Sequence, residues 1–313
     1  MDGYIILDRK GKFKDLVYEE GMNYTLTKCM CKEKPRCFVK EDILEYLNRG
    51  VYLMKVTPIP TEEVVTSKRF PRYYRISSLR CGEKREITEE VILKLIKEGA
   101  NVNPENYSLF KYAIAHNYKK VLRAIFKKDF CFYYKQFHII DNLEEEKVLE
   151  IFKLAVDSGF DVNKDEGFLV NRFIERGNLE IVKFLVSKGA DIHVEDEWPL
   201  RQAIEEGSLE IVKFLVSKGA DIHAVNNFPL RRAIEEGFIE IVKFLVSQGA
   251  NIHAEDNDAV KRAAFNGHLE VVKFLVSKGA DVHVGNNRAL RGASKNGHLE
   301  VVKFLKSVNK NFN

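Results

Sequence analysis

The residues best suited to metal chemistry are three cysteines in the segment CMCKEKPRC, namely Cys29, Cys31 and Cys37. Thiolate sulfur is a ligand that zinc prefers, but a structural site needs a fourth ligand, for which Cys81 is the candidate. The spacing matches no common zinc knuckle. Buried or incidental thiols are therefore the preferred interpretation, and zinc binding is the alternative.

A second candidate metal site is a series of histidines at intervals of thirty residues, His193, His223, His253 and His283. Packed helical units lie about 10 Å apart, whereas zinc binds an imidazole nitrogen at about 2.1 Å. Two successive histidines therefore can hardly share one ion. We expect each to be a turn residue that hydrogen-bonds the neighbouring turn, and we predict neither metal nor cofactor.

Residues 68–80 combine basic and aromatic side chains and begin with KRFPRYYR. Proteins that bind single-stranded nucleic acid use such residues for stacking and phosphate contact. The alternative is a solvated edge that leads into the first helix pair, with Tyr73 and Tyr74 packed inward. Nucleic-acid binding through this segment is kept as an alternative function that ranks below protein binding.

Sequence motifs for catalysis are absent from the chain, which contains no G-x-x-x-x-G-K, H-E-x-x-H, G-x-S-x-G or G-x-G-x-x-G. We predict that the protein is not an enzyme and has no small-molecule substrate. The remaining catalytic alternative is an unidentified activity in residues 1–82, with the rest of the chain as its targeting arm.

Composition indicates an ordinary globular protein of 313 residues, 45% of them hydrophobic and 31% charged, with a net charge of +4. The sequence has no run of eighteen apolar residues and no secretory signal. Five cysteines, an odd number, fit a reducing compartment better than a disulfide framework. We expect a cytoplasmic protein that has no membrane partner.

The element that must position any binding residue is a repeat of thirty residues. The segment LEIVKFLVSKGADIH occupies residues 179–193, returns unchanged at 209–223, and returns with small changes at 239–253 and 269–283. A shorter helical pattern precedes each copy and a short extended segment follows it. Because neither helix could bury its apolar face alone, we predict that the units stack on one another.

One copy shows how the second helix of a unit is specified. Ile211, Val212 and Leu215 share one face of the predicted helix. Gly219 follows the last apolar turn and can adopt the left-handed conformation that ends a helix. On the outer face, a glutamate precedes a lysine by three residues in five successive units, a spacing that predicts exposed ion pairs.

The period divides the chain into two parts. Residues 1–82 lack the repeat, and we predict a small α+β module with short apolar or aromatic runs at 4–7, 24–26 and 51–56 and an amphipathic helical pattern over Glu41–Gly50. Residues 83–313 are predicted to form a mainly α solenoid. Its units are a half unit at 83–103 and seven full units at 104–133, 134–163, 164–193, 194–223, 224–253, 254–283 and 284–313.

The repeats resemble ankyrin repeats over about residues 83–313. The residues that match that family's pattern in one unit are Pro199, Leu200, Ala203, Gly207, Ile211, Val212, Leu215, Gly219, Ala220 and Asp221. The resemblance implies stacked helix pairs that present a concave surface to another protein. The period of thirty is three residues shorter than is usual for the family, and we place the missing residues in the finger between units.

A narrower resemblance connects the shortened repeats and the N-terminal segment ILEYLNRGVYLMKVTPIP with the ankyrin proteins of mimivirus-type giant DNA viruses. This resemblance implies a viral protein that acts in the cytoplasm of an infected host cell. The implied partner is then a host protein.

The ankyrin family binds its partners through exposed residues of the first helices and through the fingers. The corresponding residues are Glu175, Arg176, Trp198, Gln202, Glu205, Glu206, Phe228, Arg232, Glu235, Glu236, Arg262, Phe265 and Lys295. Trp198 and Phe228 would be the aromatic anchors. The alternative is that these two rings seal the gap between adjacent units. The resemblance implies a non-catalytic scaffold for protein-protein interaction.

Overall fold

The structure is a computed structural model, and it describes residues 3–7, 12–13, 16–17, 23–25, 36–38, 52–58, 65–66, 73–75, 78–100, 102, 107–127, 137, 139–164 and 167–310. The chain divides into two compact units, Met1–Phe160 and Asp161–Asn313. None of the helices formed by these residues is long and apolar enough to cross a lipid bilayer.

The first unit begins with antiparallel strands. They are β1 Gly3–Leu7, β2 Lys12–Phe13, β3 Leu16–Val17, β4 Asn23–Thr25, β5 Arg36–Phe38, β6 Tyr52–Pro58, β7 Val65–Thr66, β8 Tyr73–Arg75 and β9 Ser78–Glu86. Seven of the described strands form one sheet in the order β4-β9-β6-β1-β5-β8-β7, and β2 pairs with β3. β1 pairs with β6 in the register Gly3↔Val56. The three apolar or aromatic runs singled out in the sequence overlap β1, β4 and β6, whereas the helical pattern over residues 41–50 lies outside the described residues.

The sheet of the first unit is followed by the helices α1 Glu89–Lys97, α2 Tyr107–Ala115, α3 Lys119–Phe126 and α4 Glu145–Asp157. The side chain of Thr88 accepts a hydrogen bond from the amide of Val91 at 3.3 Å and so caps α1. The carboxylate of Glu89 accepts one from the amide of Lys120 at 2.6 Å, at the start of α3. Because β9 ends at Glu86, it extends past the domain boundary predicted at residue 82.

The second unit consists of five successive helix pairs. They are α5 Phe168–Glu175 with α6 Leu179–Ser187, α7 Val194–Glu205 with α8 Leu209–Ser217, α9 Ala224–Glu235 with α10 Ile239–Ser247, α11 Ala254–Phe265 with α12 Leu269–Ser277, and α13 Val284–Lys295 with α14 Leu299–Lys310. Ile211, Val212 and Leu215 are at most 2% exposed, as their spacing predicted. The mainly helical repeat architecture is thereby confirmed.

The connection between units differs from the predicted extended segment. Residues 195–197 have φ angles of 47°, 55° and 65°, so they form a left-handed turn before the right-handed helix resumes. Val225, Asn226 and Asn227 form the same turn one unit later. Such a turn is compact, which explains how a unit of thirty residues can close, but left-handed backbone costs L-residues about 1–2 kcal/mol each.

The last helix runs further than its counterparts. α14 has 12 residues, whereas α8 and α10 have 9. The earlier copies end near a glycine with positive φ, such as Gly219 at φ +98°. Asn309 stands at the glycine position in the last unit and Lys306 replaces an apolar residue, so the helix continues to Lys310 and Lys306 is exposed.

Candidate functional site

The first helices of three successive pairs line a groove of about 650 Å³ in the second unit. Its lining comes from α9, α11 and α13 and the residue that follows each of α9 and α11. The lining residues are Arg232, Glu235, Glu236, Asp258, Lys261, Arg262, Phe265, Asn266, Arg288, Arg291, Gly292 and Lys295. We refer to this feature as the first-helix groove. Its side chains are held at the spacing of the repeat because the apolar faces of the same helices are buried.

The groove brings together six of the thirteen residues proposed for partner binding from the sequence, Arg232, Glu235, Glu236, Arg262, Phe265 and Lys295. The other seven lie nearer the start of the second unit, outside the groove. They are Glu175, Arg176, Trp198, Gln202, Glu205, Glu206 and Phe228. Four of these seven are exposed, namely Glu175, Arg176, Glu205 and Glu206. Their role in binding stays a prediction.

Two arginines neutralise the acidic side chains of the groove. Arg232 lies 3.1 Å from Glu236 and 3.5 Å from Glu205 of the preceding pair. Arg262 repeats the arrangement one unit later, with ion pairs to Glu235 and Asp258. Each arginine therefore connects its own first helix with the preceding one, and the glutamates are partly satisfied inside the protein.

The next unit breaks this pattern. Gly292 stands where Arg262 and Arg232 stand in the preceding units, and Phe265 stands where Glu235 and Glu205 stand. A Cβ atom added at Gly292 would lie 3.5 Å from Cδ2 of Phe265, so the ring lies beside the glycine. The ring stays open to solvent, since Phe265 is 52% exposed. An ion pair between units is thus replaced by an apolar surface.

The groove lining carries six basic and three acidic side chains. Among the residues the structure describes, Lys261, Arg288, Arg291 and Lys295 form no ion pair; Arg291 donates to the carbonyl oxygen of Gly285 at 3.3 Å. These four cations line the same groove as Phe265 and Gly292 and belong to the same two helices, α11 and α13. Lys261 and Arg291 were not among the predicted binding residues, although a basic residue at this position in successive units was visible in the sequence.

Phe228 makes a contact that favours the sealing alternative, whereas the hydrogen bond of Trp198 stays within its own helix. The indole of Trp198 donates to Gln202 Oε1 at 3.2 Å. The guanidinium of Arg201 lies over the Phe228 ring, 5.6 Å from its centroid. Arg201 belongs to the preceding unit, so Phe228 packs between units, and both rings are only partly exposed.

The four repeated histidines stabilise the left-handed turns. Nδ1 of His223 hydrogen-bonds Asn227 Oδ1 at 2.9 Å, and His253 and His283 make the equivalent bond to an asparagine four residues on. His193 bonds Glu197 instead, at 2.5 Å, and this carboxylate raises the pKa of His193. The predicted bond to the neighbouring turn is therefore wrong, because the left-handed backbone brings residue i+4 of the same turn within reach.

The other candidate chemistries fall largely outside the described residues, which include no group of three or more His, Cys, Asp or Glu side chains placed to hold a metal ion. Cys29 and Cys31 lie outside them, while Cys37 is in β5 and Cys81 in β9. Of the basic-aromatic segment, residues 73–75 form β8 and residues 78–80 begin β9. Zinc binding by the cysteines and nucleic-acid binding by this segment both stay predictions of lower rank.

Comparison with known proteins identifies the repeats. Residues 143–226, 177–256 and 230–313 each match the family model described as ankyrin repeats (3 copies). The three matches overlap and together extend over more than half of the chain. No curated protein matches the sequence.

Proposed function

Because the chain belongs to the ankyrin-repeat family, whose repeats are generally protein-protein interaction modules, we propose that it is a non-catalytic scaffold that binds a partner protein in the first-helix groove. The observation that carries this proposal is the groove itself, lined by side chains of three stacked first helices. These side chains are held by buried helix faces, so a partner would lose little affinity to ordering of the scaffold.

The identity of the partner rests on a second argument. The thirty-residue period and the N-terminal segment resemble the ankyrin proteins of giant DNA viruses. On that resemblance we propose a cytoplasmic protein of the host cell as the partner.

Site-specific photo-crosslinking tests the proposal. A photoreactive amino acid is placed at Glu236 or Lys295, which line the groove and are exposed. The matched controls carry it at Lys243 or Lys273, exposed residues of α10 and α12 that form ion pairs with Glu240 and Glu270 outside the groove. We expect one protein to be crosslinked from the groove positions and not from the controls. Crosslinking from the control positions alone would refute the groove as the binding surface.

A further inference from the structure

We infer that the first-helix groove selects an acidic peptide segment of its partner, one that places an aromatic or large aliphatic side chain on Phe265 between the cations Lys261, Arg288, Arg291 and Lys295. This inference rests on the proposed function and adds to it the chemistry of the bound segment.

The apolar part of the inference comes from a comparison of three equivalent positions. At two interfaces between units an arginine fills the space over the preceding first helix and pairs with a glutamate, Arg232 with Glu205 and Arg262 with Glu235. At the third interface the same space holds no side chain from Gly292, and the ring of Phe265 lies beside it, 52% exposed. An exposed ring beside an unfilled space offers a partner's apolar side chain a contact that the other two interfaces lack.

The charged part of the inference comes from which groups are already paired. All three acidic side chains of the groove bind arginines: Glu235 and Asp258 bind Arg262, and Glu236 binds Arg232. Arg288 and Lys295 are exposed and, in the described part of the chain, have no acidic partner. The charge available to a ligand is therefore positive and comes from α11 and α13, the helices that also carry Phe265 and Gly292, so carboxylates in the partner complement it.

The dimensions of the groove and the placing of its unpaired cations favour a peptide over a nucleic acid. A volume of about 650 Å³ accommodates a few side chains. A nucleic acid carries a continuous row of phosphates, and proteins that bind it present a basic track with several contacts along that row. Here Arg232 and Arg262 are already paired with Glu236 and Glu235, so the unpaired cations of the groove come from α11 and α13 alone. An acidic peptide can place its carboxylates next to these cations and its neutral residues next to the paired side chains.

The test selects binders from a library of random displayed peptides on the immobilised full chain and measures each by fluorescence anisotropy. Three variants are compared with the wild type. Arg288→Glu combined with Lys295→Glu reverses two exposed cations of the groove. Lys243→Glu combined with Lys273→Glu makes the same charge change outside it. Gly292→Arg restores the arginine found in the two preceding units, and Gly292 has no positive φ that would strain the variant.

We expect the selected peptides to contain Asp and Glu around an aromatic or aliphatic residue. Their Kd should rise at least about tenfold in the groove double variant, because charge pairs of the interface are reversed, and stay unchanged in the control. Gly292→Arg should also raise the Kd, although it adds a positive charge. Gly292→Ala should leave the Kd unchanged. Circular dichroism spectra equal to the wild type show that each variant is folded.

Four results would overturn the inference. These are groove-dependent peptides that are neutral or basic, tighter binding by Gly292→Arg, no groove-dependent peptide at all, or a labelled single-stranded oligonucleotide that binds the groove more tightly than any selected peptide. The proposed function is judged separately. A protein crosslinked from Glu236 whose binding is unaffected by Arg288→Glu and Lys295→Glu would leave the scaffold function standing and remove the acidic segment.

Discussion

Within this chain the second helices of successive pairs are nearly identical in sequence, whereas the first helices differ from one another. The second helices α6 and α8 have the same sequence, LEIVKFLVS, and α10 and α12 differ from it by one residue each. The right-handed parts of the first helices read WPLRQAIE, FPLRRAIE, DAVKRAAF and RALRGASK. What all four keep in common is an aliphatic residue at the position of Leu200 and a buried alanine at the position of Ala203.

This difference suits a division of roles in which the second helices hold the stack together and the first helices contact the partner. Second helices such as α8 bury residues like Ile211, Val212 and Leu215, so nearly the same sequence serves in α6, α8, α10 and α12. The exposed positions of the first helices carry little packing, so they can change from arginine to glycine or from glutamate to phenylalanine without loss of the stack. We therefore expect stability to depend on the second helices and binding to depend on the first.

The largest effect should come from a cavity in a second helix. Leu215 is fully buried, and Leu215→Ala should lower the free energy of unfolding by about 2–5 kcal/mol. Arg288→Ala, at an exposed position of a first helix, should change it by less than about 0.5 kcal/mol. Urea unfolding followed by circular dichroism measures both. Similar losses in the two variants would contradict the separation of roles.

Two glycines should respond to alanine with opposite signs. Gly219 ends α8 at φ +98° and nothing lies within 4 Å of an added Cβ, so Gly219→Ala strains only the backbone and should destabilise the fold by about 1 kcal/mol. Gly292 lies inside α13 without a positive φ, and Gly292→Ala should stabilise it by about 0.5–1 kcal/mol. Thermal unfolding distinguishes the signs. A loss at Gly292 would show that the space beside Phe265 is needed for folding.

A substitution in the left-handed turn at residues 225–227 should stabilise the fold. Val225 has φ 50° and is 44% exposed, so its β-branched side chain gains little from packing while its backbone is strained. Val225→Asn should raise the free energy of unfolding by about 0.5–1 kcal/mol, because asparagine adopts this conformation more readily. Val225→Thr keeps the β-branch and is the matched control, for which no gain is expected in the same urea titration.

The smallest expected effect is a pH dependence of the free energy of unfolding that comes from the turn at His193 and Glu197 and not from the other three turns. Glu197 raises the pKa of His193, so the protonated histidine stabilises the folded state. This contribution is complete below the unfolded pKa of about 6.5 and is lost as the pH rises through the raised folded pKa. Because the side chain of His193 is 53% exposed, screening limits the contribution to roughly 0.5 kcal/mol.

The control for that prediction is Glu197→Asn, which gives the first turn the His-Asn pair of the others. The difference in unfolding free energy between wild type and this variant should shrink from pH 5.5 to pH 8. The other histidines are present in both proteins, so their contributions drop out of this difference. A difference that is constant with pH would show that the His193–Glu197 contact carries no net charge interaction.

Much of the repeat architecture could be predicted from local sequence. The apolar spacing of Ile211, Val212 and Leu215 and the stop at Gly219 depend on residues within one unit, so periodicity identified them. The turn at Glu195, Asp196 and Glu197 could not be predicted in this way, because none of these residue types favours positive φ strongly enough to indicate three in succession. The pairing of Arg262 with Glu235 also depends on the rotation between adjacent units, and the length of the repeat does not determine that rotation.

The resemblance to ankyrin repeats predicted where the candidate site lies but only some of the residues that line it. Arg262, Phe265 and Lys295 were placed on the exposed side of the first helices, and they line the groove. Lys261 and Arg291 were missed because the family pattern has a histidine at that position, and the change to a basic residue was interpreted as a departure from the pattern. Only the folded arrangement shows that these cations line the same groove as Phe265 and Gly292.

The unchanged copies at residues 179–193 and 209–223 also bear on how such a chain can change its length. Removal of residues 194–223 would join one copy to the sequence that follows the other, so the contacts that the second helix makes across the new junction would be between residue types that already meet there. Unequal recombination between the copies in the gene would therefore shorten or extend the array by whole units. A binding surface could lengthen by such steps while the buried apolar residues between second helices stayed the same.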